Sequence, residues 1–192
     1  MKHGILAFLV VHRKVDRMEI LVLVEGSSDC GVVETFAKKL GRGIEVRVMR
    51  GNRKEKIIRL IKTYKDYDKA IVLKDLHTSK EENIKRILNE IKKNTSELGI
   101  KVHGIIVRRA IEAWILSDPE SLSRYLNINI SIGDSEDIID PANLLDNYLK
   151  RINRRYVKNR EIAKQLAELV NLNKATMRSR SLKEFIDILK DP

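Results

Sequence analysis

The sequence predicts an α/β fold: a central, mostly parallel, Rossmann-like sheet flanked by helices, followed by a helical C-terminal extension. Two observations predict it. From residue 19 to residue 109, strand-like and helix-like segments alternate as strand, helix, strand, helix, strand, helix, strand, the order from which a right-handed parallel sheet is built. In addition, the first and third strand segments are almost continuously apolar, as expected for strands covered on both faces.

The elements follow in order. "EILVLVEG" (residues 19–26) is the first buried strand, and Ser27 and Ser28 are placed to cap a helix carrying Val32, Val33, Phe36, Ala37 and Leu40, which stops at Gly41 and Gly43. "IEVRVM" (residues 44–49) alternates apolar and polar residues, so it belongs nearer the sheet edge. "RGNRK" leads to a helix through Ile57, Ile58 and Ile61, and "KAIVLKD" (residues 69–75) is the next buried strand. Ser79 and Glu82 have capping-box spacing for a helix reaching Leu98, and "KVHGIIVRR" (residues 101–109) is the last clear strand. "AIEAWILSD" then reads as helical, with Asp118 as cap for a short helix opened by Pro119. Residues 119–140 hold one Arg against five Asp and Glu and read as an acidic linker. From Pro141 onward 12 Lys and Arg face 6 Asp and Glu on what read as three short helices. The division is residues 18–118 as the α/β core, 119–192 as a helical extension packing on it, and 1–17 as an N-terminal extension.

Composition bounds the function. The 192 residues suffice for one core with an embellishment. Lys and Arg number 38 against 27 Asp and Glu, a net charge of +11, which favours an acidic partner such as nucleic acid. The alternative is a solvated, heat-adapted surface, since Gln165 is the only glutamine in a chain rich in Lys, Glu, Arg and Ile. Cys30 is the only cysteine, which excludes an intramolecular disulfide or a cysteine cluster for zinc and makes the cytoplasm the expected location. The apolar run at residues 5–11 is too short to span a bilayer; it is either a short extra strand or part of an extension upstream of Met18. "EGSSDCG" lacks both the Gly-x-Gly-x-x-Gly spacing and a P-loop lysine, which excludes nucleotide binding by that motif.

Chemistry concentrates at strand ends. In parallel sheets, ligands sit beyond the carboxyl ends of the strands, where Glu25 and Asp75 both fall. Two carboxylates facing each other across a crevice repel, and a divalent cation with oxygen ligands relieves them. Asp29, on the first turn of the following helix, and His77, aligned with Asp75 if the strand continues, complete a candidate metal set of Glu25, Asp29, Asp75 and His77. Such a cation neutralises phosphate charge and acidifies water, as phosphodiester hydrolysis needs. Glu112 is placed to complete the acidic cluster, and Arg108 or Arg109 to bind phosphate. Trp114 is assigned to packing. "KRINRRYVKNR" contributes Lys150, Arg151, Arg154, Arg155, Lys158 and Arg160 without one acid, with Tyr148 and Tyr156 interleaved for base stacking. Arg178 and Arg180, with Ser179 and Ser181, extend this candidate nucleic-acid surface, whose alternative is a solvated helix face.

"LVLVEGSSD" followed by "IVLKDLH" resembles the Toprim fold shared by topoisomerases, primases and OLD-type nucleases. "VRRAIEAWILSDPESL" and the "SRSLKEFIDIL" ending resemble an uncharacterised Toprim-like family of bacteria and archaea, so the resemblance runs from residue 19 to the C-terminus. It implies that Glu25 is the strand-terminal glutamate, as metal ligand or proton shuttle, and Asp75 the first acid of Asp-x-Asp. His77 stands where the second acid belongs, which favours Mn²⁺ over Mg²⁺ or marks a weakened site. The expected activity is a Mg²⁺- or Mn²⁺-dependent nuclease with Glu25, Asp75 and Glu112 catalytic. The alternatives are a binding module for nucleic acid or another partner with a decayed centre, and a phosphatase or phosphotransferase for a small metabolite.

Overall fold

In the computed structural model, which describes residues 19–51 and 53–191, four strands form one all-parallel sheet in the order β2-β1-β3-β4. The readings placed on residues 1–18 lie outside the described residues. Along the chain run β1 (Ile20–Val24), α1 (Ser27–Lys39), β2 (Ile44–Val48), α2 (Lys54–Thr63), β3 (Lys69–Asp75), α3 (Glu81–Thr95) and β4 (Lys101–Val107). The extension follows as α4 (Glu112–Leu116), α5 (Pro119–Leu126), α6 (Pro141–Lys150), α7 (Arg160–Leu169), α8 (Leu172–Ala175) and α9 (Arg180–Lys190).

Residue parity decides which helices cover which face. Ile20, Val22, Val24, Ile71 and Leu73 join a cluster with α1 and the C-terminal helices, while Leu21, Leu23, Ala70 and Val72 meet Ile57, Ile61, Ile84 and Ile91 of α2 and α3. β1 is therefore buried along its whole length, each large aliphatic side chain being worth roughly 1.5–3 kcal/mol. β2 is the edge strand that its alternation predicted, with its residues partly exposed. From β1 the chain steps outward to β2, then crosses back to β3 on β1's other side. The strand order thus switches between β1 and β3, which opens a crevice at their carboxyl ends.

Helix boundaries show where local signals were outweighed. α1 ends as its glycine predicted: Gly41 adopts φ 68°, Arg42 N–H donates to Ala37 O at 2.9 Å and Gly41 N–H to Lys38 O at 3.0 Å, a Schellman closure. Its start differs, because Gly26 is the cap and both serines lie inside the first turn. The Ser79–Glu82 capping box does not form; α3 begins at Glu81 after Lys80, while Ser79 N–H closes a turn onto Leu76 O. Asp118 does cap α5, accepting from Ser121 N–H, and its second oxygen accepts from Asn171 N–H at 2.7 Å.

The extension departs further from expectation. Residues 119–140 are packed rather than a linker: Glu136 is buried and accepts from Ser179 Oγ at 2.9 Å and Ser181 N–H at 2.7 Å, at the start of α9. Four helices, not three, follow Pro141, and residues 151–159 form a loop rather than a helix face, with Asn153 at φ 56°. Ser179 and Ser181 point inward, so they are not the expected phosphate donors; Ser181 Oγ accepts from Trp114 Nε1 at 2.8 Å. Trp114 is a packing residue as assigned, stacked between Phe36 and Phe185 with ring centroids 6.4 and 5.2 Å away.

α1 and α7 approach so closely that only glycine fits between them. A Cβ on Gly31 would lie 2.2 Å from Arg160 O, and neither backbone can yield without parting the helices. Gly31→Ala is expected to destabilise the fold by roughly 3 kcal/mol or more in urea titration, whereas an unchanged midpoint would show that the helices separate freely.

Candidate functional site

Four carboxylates converge at the crevice. Glu25 directly follows β1, and its Oε1 accepts from the buried Lys74 Nζ at 2.5 Å and from Asp75 N–H at 3.3 Å. Asp75 closes β3, with its side chain only 11% exposed. Asp29, on the first turn of α1, is buried; its carboxylate accepts from Gly26 N–H at 2.9 Å and Ser28 Oγ at 3.1 Å. Glu112 opens α4 and is 1% exposed. Its Oε1 accepts from Tyr156 Oη at 3.0 Å and lies 3.4 Å from Lys158 Nζ, while Oε2 is buried without a hydrogen-bond partner among the described residues.

His77 reaches the same place by another route than a continued strand. β3 ends at Asp75, and His77 turns into the left-handed region at φ 42°, yet its Nε2 lies 3.5 Å from Asp75 Oδ2. Across from it Arg109 also has a positive φ, 66°, and the two backbones interlock, with His77 N–H donating to Arg109 O at 3.1 Å. Paired strain of this kind clusters at ligand-binding sites. Glu25, Asp75 and His77 each present a ligand atom within 4.8 Å of one another, so these three could hold a metal ion. Two hard oxygen donors and one imidazole suit Mn²⁺ or a similar borderline ion.

The electrostatics follow from crowding. Burial, then the nearby charges of Asp29, Glu25 and Glu112, push the Asp75 carboxyl up to about 8. Burial also raises Asp29, partly offset by its bonds to Gly26 and Ser28. Tyr156 is held protonated by burial and by the Glu112 carboxylate it donates to.

The structure brings Glu25, Asp29, Asp75, His77 and Glu112 together and distributes the basic candidates more widely. Arg108 and Arg109 line a cavity of about 200 Å³ with His77, Thr78 and Ser79, beside the carboxylates; Arg108 is 3.6 Å from Glu81. Lys158 enters the cluster itself. Lys150 and Arg155 pair with Asp146 at 2.8 and 3.0 Å, Arg160 with Glu34 at 2.6 Å, and Arg178 with Glu120 at 2.6 Å. Arg151 lies over Tyr148 and Arg154 over Tyr125, exposed arginine–tyrosine stacks, and Arg180 lines a groove with Glu184 along β4. Tyr156 is buried on Glu112 rather than free to stack on a base.

Two residues of the site escaped sequence reasoning. Lys74, a charge inside an apolar strand, was a signal, because such a residue needs a buried partner. Tyr156 carried none, since only folding brings it to Glu112. No protein-family model and no curated protein matches this sequence.

The raised Asp75 carboxyl gives a pH dependence. Between the ordinary aspartate value of 3.8 and about 8, the folded chain keeps a proton that the unfolded chain releases, so this group makes stability fall as pH rises through that window. In chelator, the stability difference between wild type and Asp75→Asn should change across this range, with wild type losing ground as pH rises. Parallel pH profiles would contradict the crowding.

Proposed function

We propose that the protein is a divalent-metal-dependent phosphoesterase of Toprim type, acting on nucleic-acid phosphodiesters. One observation carries the reading: four carboxylates and His77 meet at the switch point of a parallel sheet, and one carboxylate oxygen is buried with no hydrogen-bond partner among the described residues. The donor set fits Mn²⁺ or Mg²⁺, which supplies charge neutralisation for a phosphodiester and acidifies water. Glu25, Asp75 and His77 would hold the ion, with Asp29 and Glu112 adding negative charge. Lys74 fixes the Glu25 carboxylate from behind, and Tyr156 fixes Glu112. Arg108 and Arg109, at the adjoining cavity, are placed to bind a substrate phosphate, and the net charge of +11 favours a polyanion.

Plasmid, single-stranded DNA and RNA incubated with Mn²⁺ or Mg²⁺ test the reading. Cleavage should appear with one of these ions, stop in chelator, be lost in Glu25→Gln and Asp75→Asn, and fall about 10–100-fold in Lys74→Met, as when the support of a metal ligand is removed. Equal turnover in the variants overturns it. A second reading rests on His77, more than half exposed and an imidazole where the resemblance expects an acid: a binding module with a decayed centre. Salt-sensitive nucleic-acid binding, unchanged by chelator or Glu25→Gln and without cleavage, would favour that reading. Hydrolysis of a generic phosphomonoester without polymer cleavage would point to a small phosphorylated substrate.

A further inference from the structure

Two ammonium groups approach the carboxylates, and they differ in freedom. Lys74 is buried, its Nζ 2.5 Å from Glu25 Oε1, whereas Lys158 rises from the loop before α7, more than half exposed, with Nζ 3.4 Å from Glu112 Oε1. The backbone beneath Lys158 is anchored on both sides. Two residues on, Arg160 opens α7 and donates to both Glu34 oxygens on α1, at 2.6 and 2.7 Å, while Gly31 lets α1 lie directly against Arg160 O. Two residues before, Tyr156 donates to the same Glu112 oxygen at 3.0 Å, and its N–H donates to Asp146 at 2.9 Å. The fold thus fixes where Lys158 starts and leaves its side chain partly exposed at one edge of the cluster.

Resting on the metal reading above, we propose that the Lys158 ammonium occupies the position of a second cation, so that the site takes a single divalent ion beside Glu25, Asp75 and His77. Charge balance points the same way. Ligation displaces the Asp75 proton, so in the ion-bound site all four carboxylates are ionised; Lys74 and Lys158 then leave an excess of two negative charges, which one divalent ion cancels, and without Lys158 the excess is three. Glu112 supplies the other half of the case. One of its oxygens already has Tyr156 and Lys158, and the other is buried without a hydrogen-bond partner among the described residues, so loss of the ammonium leaves a carboxylate able to ligate an ion.

Metal uptake tests this independently of turnover. The metal-free chain is titrated with Mn²⁺ while the free ion is followed by its electron paramagnetic resonance signal. Wild type and Lys158→Arg should take up a single ion per chain, and Lys158→Gln a second. Tyr156→Phe removes the other donor to Glu112 but no charge, and should keep the single ion. A Lys158→Gln chain that still takes up a single ion, or a Tyr156→Phe chain that takes up two, overturns the assignment. Wild type that takes up none overturns the metal reading itself.

Discussion

Like-charge repulsion in a partly dry crevice is the constraint that organises this end of the molecule. At an effective dielectric constant near 20, two carboxylates about 5 Å apart repel by about 3 kcal/mol, and here four lie within each other's reach. Such a cluster persists only where something opposes the repulsion. The chain supplies Lys74 against Glu25, the Gly26 N–H and Ser28 hydroxyl against Asp29, and Tyr156 with Lys158 against Glu112. Asp75 receives the least, its carboxyl being the one pushed far toward the neutral form. The crowding is therefore compensated unevenly, and the deficit centres on the residue that also lies nearest His77.

Those compensating groups come from opposite ends of the chain, and α1 joins them. Its first turn carries Asp29; one turn on, Gly31 receives α7, and Glu34 holds Arg160. This brings the loop of residues 151–159 to the crevice, so the extension contributes Tyr156 and Lys158 to a cluster that begins at β1 and β3. At the opposite end of the sheet the buried Lys69 donates to Ile188 O at 3.0 Å and Asp191 O at 2.9 Å, tying α9 beneath β3. The helical extension is thus fixed at both ends of the sheet, and Trp114, two residues after Glu112 on α4, packs on Phe36 and Phe185.

Much of this was legible in the sequence because it is local. Continuous apolar runs mark β1 and β3, alternation marks β2 as an edge, and the strand ends put Glu25 and Asp75 in one crevice. Glu112 was reachable too, as an acid on a helix just after a strand. What could not be read depends on contacts between residues far apart in the chain. "KRINRRYVKNR" has the composition of a helix face, but Asp146 draws in the Tyr156 N–H and Arg155, Asn153 adopts a left-handed turn, and the segment becomes a loop. Nothing local marks Gly31; its necessity lies in a carbonyl 129 positions later, at Arg160. Capping signals failed where a stronger local partner existed, as when Asp29 took the Gly26 N–H and drew the start of α1 ahead of the serines.

The imidazole at His77 accords with the same electrostatics. An acid there would have been a fifth carboxylate, within about 4 Å of an Asp75 that already resists ionising. An imidazole can offer a metal a lone pair without adding a negative charge, and the left-handed turn places the His77 ring 3.5 Å from Asp75 Oδ2. A further negative charge of the cluster lies on Glu112, buried on α4 and held by Tyr156. The carboxylates thus lie on different elements, where Glu25, Asp29 and Glu112 are each held by their own donors and Asp75 faces the His77 imidazole.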